Sequence, residues 1–306
     1  MVGWGAPWDM TSSPPPDVVA IFGPTASGKT AVAELLASAL GTEIVSADAM
    51  QVYRGLPILT NQPESSTRLV AIRDLSHEMS VAEYATLAHE VIDELVLANG
   101  AAVVAGGTGL YLRAALVDLD LPPTARSGGR ARWERLYDDD PDAAYARLGD
   151  LDPAAAAIVH RNDRRRVVRA LELTDLGTSL APVRNQLWST DTRRPTLVVG
   201  LDVPPASLER RIRERTGAMF ARGVVDEVRR ALAGHDVSRT AEKALGLREL
   251  AELSPEQACE ALVARTRRYA AYQRKWMRRI GGIVMIDADR PPDKVADAIL
   301  ELARAR

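Results

Sequence analysis

Residues near the start of the chain have the types and spacing of a loop that binds phosphate groups. They follow the pattern G-x-x-x-x-G-K-[ST], in which the glycines let backbone amides turn inward and the lysine supplies a positive charge. The last hydroxyl of such a loop can ligate Mg²⁺. The loop consists of Gly23, Pro24, Thr25, Ala26, Ser27, Gly28, Lys29 and Thr30. It predicts binding of a diphosphate or triphosphate, without indicating which molecule carries that group.

The surroundings of this loop strengthen the prediction. The run 18–22 is entirely apolar, as expected of a strand buried on both faces, and a helical pattern extends from Lys29 to about Leu40, where Gly41 ends it. A strand, a glycine-rich turn and a helix in this order place the amides at a helix N-terminus, which favours anions. A fortuitous glycine-rich turn is the competing interpretation, and this context makes it the weaker one.

Two further polar residues follow predicted strands. Asp48 comes just after a strand predicted for 43–46, and Thr108 comes after an apolar run at 101–105. Because the carboxyl ends of parallel strands share one edge of a sheet, we expect Lys29, Asp48 and Thr108 to converge there as catalytic residues. The alternative for Asp48 and for Thr108 is a helix cap, which needs the same residue types.

A kinase or NTPase usually has an acidic residue at a second strand end to manage Mg²⁺. The run 101–105 is followed by Gly106, Gly107 and Thr108, with no carboxylate. Asp202, after the apolar run at 197–201, is a candidate for that role, but Pro204 and Pro205 make a simple loop an equal possibility. The sequence therefore favours phosphate binding without favouring phosphoryl transfer.

The alternation of strand and helix patterns predicts an α/β fold, a P-loop NTPase-like parallel sheet flanked by helices, with a helical insertion domain. Later strands are predicted for 196–201 and 283–286, and long helical patterns cover 207–233 and 255–280. Strand patterns are missing from about residue 121 to 194. We therefore predict a disordered tail at 1–16, a catalytic core formed by 17–120 and 195–306, and a helical insertion at 121–194.

Composition narrows the class of protein. The 39 Lys and Arg residues against 41 Asp and Glu residues give a formal net charge of -2, so nucleic-acid binding must rest on local clusters. A single cysteine, Cys259, excludes an internal disulfide framework, and the four histidines lack metal-ligand spacing. No apolar run is long enough to cross a membrane and no signal peptide precedes the loop. These features predict a cytoplasmic monomer with no membrane partner.

Basic residues cluster in two stretches. Within the insertion they are Arg161, Arg164, Arg165, Arg166 and Arg169, which fit either RNA phosphates or a solvated helix face. The late helical pattern adds a second group of Arg and Lys residues. Its aromatic and apolar residues Leu262, Tyr269, Tyr272, Trp276 and Ile280 recur with helical spacing. We expect this stripe to face the core, with stacking on RNA bases as the alternative.

Seven blocks of residues, in order along the chain, resemble the bacterial tRNA dimethylallyltransferases. The resemblance runs from about residue 18 to 288, which makes it far more specific than the phosphate loop alone. The later blocks include Gln273 and Trp276. The blocks are 23–30, 46–55, 106–111, 160–172, 211–223, 244–248 and 267–278.

The resemblance implies transfer of a dimethylallyl group from dimethylallyl diphosphate to N6 of adenosine 37, beside the anticodon of tRNA. The phosphate loop and Arg215 would then bind the diphosphate, with Mg²⁺ on Thr30, and Asp48 would act as the general base beside Thr108. The resemblance also implies that tRNA binds at Asp48, Ala49, Met50, Gln51, Thr108, Arg130, Arg165, Arg166, Arg169, Lys243, Gly246 and Arg248.

The chain departs from the family pattern at 58–63, at 70–75 and at Ala271, where a basic residue is usual. These departures affect the contacts expected around 56–75 and one expected phosphate contact. Three alternatives remain: prenyl transfer to a free adenine nucleotide, a P-loop kinase for small molecules, and an RNA-binding module without catalysis. The insertion with its arginines argues against the first alternative, because a mononucleotide needs no such arm.

Overall fold

The structure, a computed structural model, describes residues 15–121, 129–181, 186–233 and 236–305. The tail predicted at 1–16 lies outside these ranges except for Pro15 and Pro16. The described chain divides into two compact units, one containing residues up to Asp118 and from Leu187 onward, and the other spanning Leu119–Gln186. The second unit is thus shorter at its carboxyl end than the 121–194 predicted for the insertion.

The first unit is built on one parallel sheet. Its strands are β1 Val18–Phe22, β2 Ile44–Ser46, β3 Thr67–Arg68, β4 Ala102–Gly106, β5 Thr196–Asp202 and β6 Val284–Asp287. They lie in the order β3-β2-β4-β1-β5-β6. The sequence missed β3, because two residues carry no readable periodicity. The α/β class and the parallel sheet flanked by helices are confirmed.

The helices of this unit are α1 Lys29–Leu40, α2 Val81–Asn99, α3 Gly109–Leu116, α8 Pro205–Ala221, α9 Val224–Leu232, α10 Leu247–Glu252, α11 Pro255–Met277 and α12 Pro292–Arg304. Their ends follow from capping chemistry. Ser254 and Gln257 form a reciprocal capping box at the start of α11, and Gly41, with φ of 63°, ends α1. The single helix expected over 207–233 is wrong, because Gly223, with φ of 85°, separates α8 from α9.

The core of the first unit lies between the sheet and its helices. All five residues of β1 are buried, and this strand pairs with β4 on one side and β5 on the other. A strand with neighbours on both edges and helices over both faces has no residue that faces solvent, which explains its continuous apolar run. The carboxyl ends of β1, β2 and β4 therefore reach the edge where the phosphate loop begins.

The second unit is helical, with α4 Gly129–Asp139, α5 Pro141–Leu151, α6 Pro153–Ile158 and α7 Arg164–Thr174. Asp140 and Asp152 cap the starts of α5 and α6 with their carboxylates. A small core forms where Trp133, Leu148 and Leu171 pack together with neighbouring apolar side chains. This core fixes α7, which carries most of the arginine cluster.

Candidate active site

The phosphate loop leaves β1 at Gly23 and enters α1 at Lys29. Gly28, with φ of 90°, is the N-cap residue of α1, and Ala26 also adopts a left-handed conformation. These two turns direct the loop back over the start of the helix, whose amides favour an anion. The hydroxyl of Ser27 is buried and has no hydrogen-bond partner among the described residues. The loop thus holds polar groups that the protein itself leaves unsatisfied.

Two partly buried cations accompany the loop. Lys29 donates from Nζ to the carbonyl of Pro24 at 2.8 Å, and Arg215 of α8 donates from Nη1 to the Thr25 hydroxyl at 3.0 Å. Burial, together with the charge of Arg215, lowers the pKa of Lys29 to about 8, while Asp48 opposes this shift. Burial also lowers the pKa of Arg215. Two positive charges held close together in a desolvated place are stabilised by a bound anion.

Gln273 of α11 connects the phosphate loop to the end of β4. Its Oε1 accepts from the Thr25 amide at 2.8 Å, and its Nε2 donates to the Gly107 carbonyl at 2.7 Å. The side chain is buried, and a Cβ at Gly107 would lie 2.3 Å from Nε2, so only glycine leaves room for this bond. The resemblance included Gln273 without a role, and the structure identifies it as the link between two loops of the site.

Asp48 and Thr108 lie together at the sheet edge. The Thr108 hydroxyl accepts from the Ala49 amide at 3.3 Å, and Gly106 permits the close approach, since a Cβ there would lie 2.1 Å from the Ala47 carbonyl oxygen. Thr108 occupies the N-cap position of α3 but its side chain makes no capping bond, so the capping alternative is wrong for Thr108. No helix follows Asp48, whose Oδ1 accepts from the Met50 amide at 2.9 Å.

Electrostatic interactions join Asp48 to both cations of the phosphate loop and to aromatic side chains. Its charge raises the pKa of Lys29 and of Arg215 against the effect of burial. Tyr269 of α11 interacts with Thr108, and burial, with a contribution from Asp48, raises the pKa of Tyr269 to about 12. The Asp48 carboxylate thus lies near two cations and near the neutral phenol of Tyr269. This arrangement is expected where a proton acceptor stands beside an anion site.

Asp202, the alternative acidic residue, is occupied by a protein partner. It ends β5, and its Oδ1 accepts from Arg274 at 3.1 Å. Among the described residues there is no group of three or more His, Cys, Asp or Glu side chains able to hold a metal ion. The Thr30 hydroxyl, in the first turn of α1, has no hydrogen-bond partner in the described part of the chain. An ion at this place would take most of its oxygen ligands from the diphosphate.

The segment that departs from the family pattern is fixed to the core by side-chain hydrogen bonds. The buried carboxylate of Glu227 on α9 accepts from the amides of Ile58 and Leu59, both at 2.8 Å. Gln51 donates to the Asn61 carbonyl at 2.9 Å, and Gln62 donates to the Tyr53 carbonyl at 2.7 Å. The loop that follows Asp48 is therefore held by residues distant in sequence, which the motif analysis did not identify.

Other predicted tRNA-binding residues of the first unit lie near α10. Lys243 ends the short 3₁₀ turn Ala241–Lys243, and Gly246, with φ of 96°, is the N-cap residue of α10. Arg248, on α10, lies 3.6 Å from the carboxylate of Glu242 in an exposed ion pair. Contact of these residues with tRNA stays a prediction.

The arginines of the second unit differ in their pairing. Arg164 makes a bidentate bond to Asp138, with both distances 2.6 Å. Arg130 and Arg169 share the buried carboxylate of Glu172, at 3.3 and 2.8 Å. Arg165 and Arg166 are exposed, and neither has an ion-pair partner in the described part of this unit. Both guanidinium groups are therefore accessible to a phosphate.

The predicted core stripe of α11 is partly wrong. Leu262 and Ile280 are buried, but Tyr272 is 54% exposed and Trp276 only half-buried. The buried face of the helix instead carries small and polar residues such as Thr266, Ala270 and Gln273. Close packing against the phosphate loop needs those types, so residue size was a misleading guide to burial here.

A parallel sheet whose edge combines a phosphate loop, two partly buried cations and a nearby carboxylate defines an enzyme that acts on a diphosphate or triphosphate. The family model described as IPP transferase matches residues 51–280. The chain therefore belongs to the IPP transferase family.

Curated relatives carry a more specific description. The chain is 39% identical over 284 residues to a tRNA dimethylallyltransferase of Streptomyces coelicolor, covering 88% of this chain and 90% of the relative. It is 40% identical over 281 residues to a tRNA dimethylallyltransferase of Frankia alni, covering 87% and 95%. The resemblance inferred from the sequence blocks is confirmed, and the chain is an enzyme of this prenyltransferase family.

Solved structures support the same family assignment. A tRNA isopentenylpyrophosphate transferase from Bacillus halodurans superimposes with a TM-score of 0.65 at 31% identity, covering 94% of each chain. A eukaryotic dimethylallyltransferase acting on tRNA gives a TM-score of 0.71 at 26% identity, covering 89% of this chain and 73% of the other. Within the described residues, no helix is both long and apolar enough to cross a membrane.

Proposed function

We propose that this enzyme transfers the dimethylallyl group of dimethylallyl diphosphate to N6 of adenosine 37, beside the anticodon of tRNA, and releases diphosphate. The observation that supports the proposal best is the meeting of a diphosphate-type loop with Asp48 and Thr108 at one sheet edge. Because its substrate is tRNA, the location we propose is the cytoplasm, and we propose a monomer as the working form.

On the leaving-group side of the reaction, the two cations beside the phosphate loop act on the diphosphate. As the bond between the allylic carbon and the bridging oxygen breaks, its electron pair passes to the diphosphate, which gains negative charge. Lys29, Arg215 and the amides of the phosphate loop are placed to stabilise that charge. Because both cations are already held by hydrogen bonds to the loop, the stabilisation needs little reorganisation at the moment of reaction.

The residues at the ends of β2 and β4 act on the acceptor, the exocyclic amine of the target adenosine. The exocyclic amine of adenine is a weak nucleophile, because its lone pair is delocalised into the ring. As N6 forms the new bond to carbon, it must lose a proton, and the Asp48 carboxylate is the acceptor proposed. Thr108, beside Asp48, orients the amine. The target base has to leave the RNA stack to reach this edge.

Mg²⁺ fits this site only together with the diphosphate. Thr30 would contribute one oxygen ligand, and the diphosphate would contribute the others, because the described residues form no acidic cluster. The ion would supply further neutralisation of the leaving group. Removal of divalent cations by a chelator is expected to weaken donor binding more than tRNA binding.

The tRNA side of the proposal rests on the accessible arginines of the second unit and on the names of the relatives. Arg165 and Arg166 offer unpaired positive charge, and the other predicted tRNA contacts are Ala49, Met50, Gln51, Arg130, Arg169, Lys243, Gly246 and Arg248. A free nucleotide as acceptor would leave this basic helix without a use. A kinase activity is disfavoured by the pairing of Asp202 with Arg274.

Acceptor choice tests the proposal. Purified protein is incubated with labelled dimethylallyl diphosphate and either unmodified tRNA or AMP, with Mg²⁺ present. We expect label in tRNA and none in AMP. Label in AMP alone would show a nucleotide prenyltransferase, and phosphorylated product from ATP with no prenyl transfer would show a kinase.

A further inference from the structure

Helices α4 and α7 of the second unit carry charges at ends where the helix dipole disfavours them. The last two residues of α4 are Asp138 and Asp139, at the end of a helix that favours cations. The first three residues of α7 are Arg164, Arg165 and Arg166, at the end that favours anions. The stability of the two helices does not explain these residue types, and each set is stabilised by opposite charges from outside its own helix.

Asp138 is the partner of one of these arginines. Arg164 donates from Nε and from Nη2 to the two carboxylate oxygens of Asp138, with both distances 2.6 Å. These hydrogen bonds lower the pKa of Asp138, so the carboxylate is ionised at neutral pH. Two parallel hydrogen bonds to two oxygens are also the geometry in which arginine binds phosphate. Asp138 therefore occupies Arg164 in the way that an RNA phosphate would.

A second ion pair in this unit has the same character. Arg161, in the turn before α7, donates from Nη2 to Oδ1 of Asp142, which lies in the first turn of α5. The side chains of both pairs are exposed to solvent. An exposed ion pair contributes little to the stability of a fold, because water competes for both charges. Each pair nevertheless removes one arginine from those that can meet an external phosphate.

Neighbouring residues of the same types lack such partners. Asp139, next to Asp138, is exposed and has no ion-pair partner among the described residues of this unit. Arg165, next to Arg164, is exposed and unpaired within the same part of the chain. A paired and an unpaired carboxylate thus end one helix, and a paired and an unpaired arginine begin another. The effect of pairing can therefore be separated from the effect of net charge.

We propose that Asp138 acts as a built-in competitor of RNA phosphate, which holds Arg164 out of the tRNA interface and limits the affinity of α7 for RNA. Asp142 has the same effect on Arg161. This inference rests on the proposed function. Phosphate contacts are independent of sequence, and modified and unmodified tRNA present the same phosphates. Each additional contact would therefore slow the release of the product, because affinity changes at one interface lie mostly in the dissociation rate.

Neutralisation of Asp138 tests the inference, with Asp139 as the matched control. Affinity for unmodified tRNA is measured against salt for wild type, Asp138→Asn and Asp139→Asn. Each variant loses one negative charge at the end of α4, but only Asp138→Asn releases an arginine. We expect Asp138→Asn to bind roughly five- to eightfold more tightly than Asp139→Asn at ~0.1 M salt, with a log–log slope steeper by about 0.7 to 0.9. The excess should disappear toward ~1 M salt.

A double-mutant cycle assigns the gain to Arg164. In the Arg164→Ala background, Asp138→Asn should gain no more affinity than Asp139→Asn does, because no arginine is left to release. Asp138→Glu keeps the carboxylate and should bind like wild type. Modified tRNA should show the same gain as unmodified tRNA, while single-turnover transfer stays unchanged. Asp142→Asn, compared in the same way with and without Arg161→Ala, repeats the test at the second pair.

Equal affinity of Asp138→Asn and Asp139→Asn, or an excess that persists in the absence of Arg164, would overturn the inference. A lower unfolding temperature of Asp138→Asn with no gain in affinity would also overturn it, and would make the pair a structural link between α4 and α7. Transfer to tRNA by the wild type is measured separately, so that failure of this inference would leave the proposed function standing.

Discussion

The phosphate-loop edge and the arginine helix α7 both use positive charge, but they hold it differently. At the edge, Lys29 and Arg215 are partly buried and fixed by hydrogen bonds to the loop. On α7, Arg165 and Arg166 stand in solvent. A fixed and partly buried charge acts on one group of atoms at one place, whereas an exposed charge adds affinity for any nearby phosphate and is screened by salt. Positively charged side chains thus serve the reaction at the phosphate-loop edge and the binding of phosphates on α7.

The largest effect that would test this division is expected at Asp48. Asp48→Asn keeps the oxygen that accepts from the Met50 amide but removes the proton acceptor, so turnover should fall about 10²-fold or more while tRNA affinity stays nearly constant. Single-turnover transfer and equilibrium binding measure the two quantities. Parallel loss of both would make Asp48 a binding residue only.

The second prediction concerns pH. Because the pKa of Lys29 is lowered to about 8, donor affinity should decline as pH rises above about 8, by up to tenfold per unit until the pKa of the complex is reached. Calorimetric titration with dimethylallyl diphosphate measures this decline, and Lys29→Met should lack it.

Stability should respond to the same residue with the opposite sign. The pKa of Lys29 in the folded protein lies below the ordinary lysine value of 10.5, so the unfolded chain binds the extra proton between about pH 8 and 10.5. The contribution of Lys29 to the free energy of unfolding therefore rises with pH across that window. Denaturant unfolding of wild type and Lys29→Met gives the difference, and a wild-type excess that falls with pH would contradict the assignment.

The fourth prediction separates positioning from folding. Gln273→Leu leaves the Thr25 amide and the Gly107 carbonyl without their buried partner, so donor affinity should fall about five- to tenfold. Affinity for tRNA should change little. Gln273→Glu, which can still accept from Thr25, should recover part of the donor affinity. A lower unfolding temperature with unchanged donor affinity would reduce Gln273 to a structural role.

The smallest effect is expected on α7. Replacing Arg165 and Arg166 together by Ala should flatten the salt dependence of tRNA binding by up to about 2 units of slope, with donor affinity unchanged. Arg164→Ala is the control, because Arg164 is already paired with Asp138. Arg169 is better left intact, since it neutralises the buried Glu172. An unchanged slope in the double variant would show that this face of α7 is solvated and does not contact tRNA.

The sequence predicted features that neighbouring residues form, and it missed contacts between residues that are far apart in the chain. The phosphate loop, β1 and the sheet-edge position of Asp48 follow from local spacing, because adjacent residues dictate strand, turn and helix. The bond from Thr25 to Gln273 spans 248 residues, and the Glu227 bonds to Ile58 and Leu59 are similarly remote. Local patterns contain no information on such partners.

Exposure on α11 was the main error, and its cause is physical. Helical spacing identifies a stripe but not which of two adjacent stripes is buried. A stripe of large aromatics was expected inside, yet Gln273 must reach the phosphate loop and Ala270 packs closely, which turns Tyr272 outward. A polar residue with two buried partners can decide the orientation of a helix against residue size.

The product of the reaction tests the central claim most directly. Wild-type protein, Mg²⁺ and dimethylallyl diphosphate are incubated with a tRNA that has adenosine beside the anticodon, or with the same tRNA carrying guanosine there. The tRNA is digested and its nucleosides are identified by mass spectrometry. We predict N6-dimethylallyladenosine from the first tRNA only, with one diphosphate released per transfer. Unmodified nucleosides from both tRNAs, or modification at another position of both tRNAs, would contradict the account.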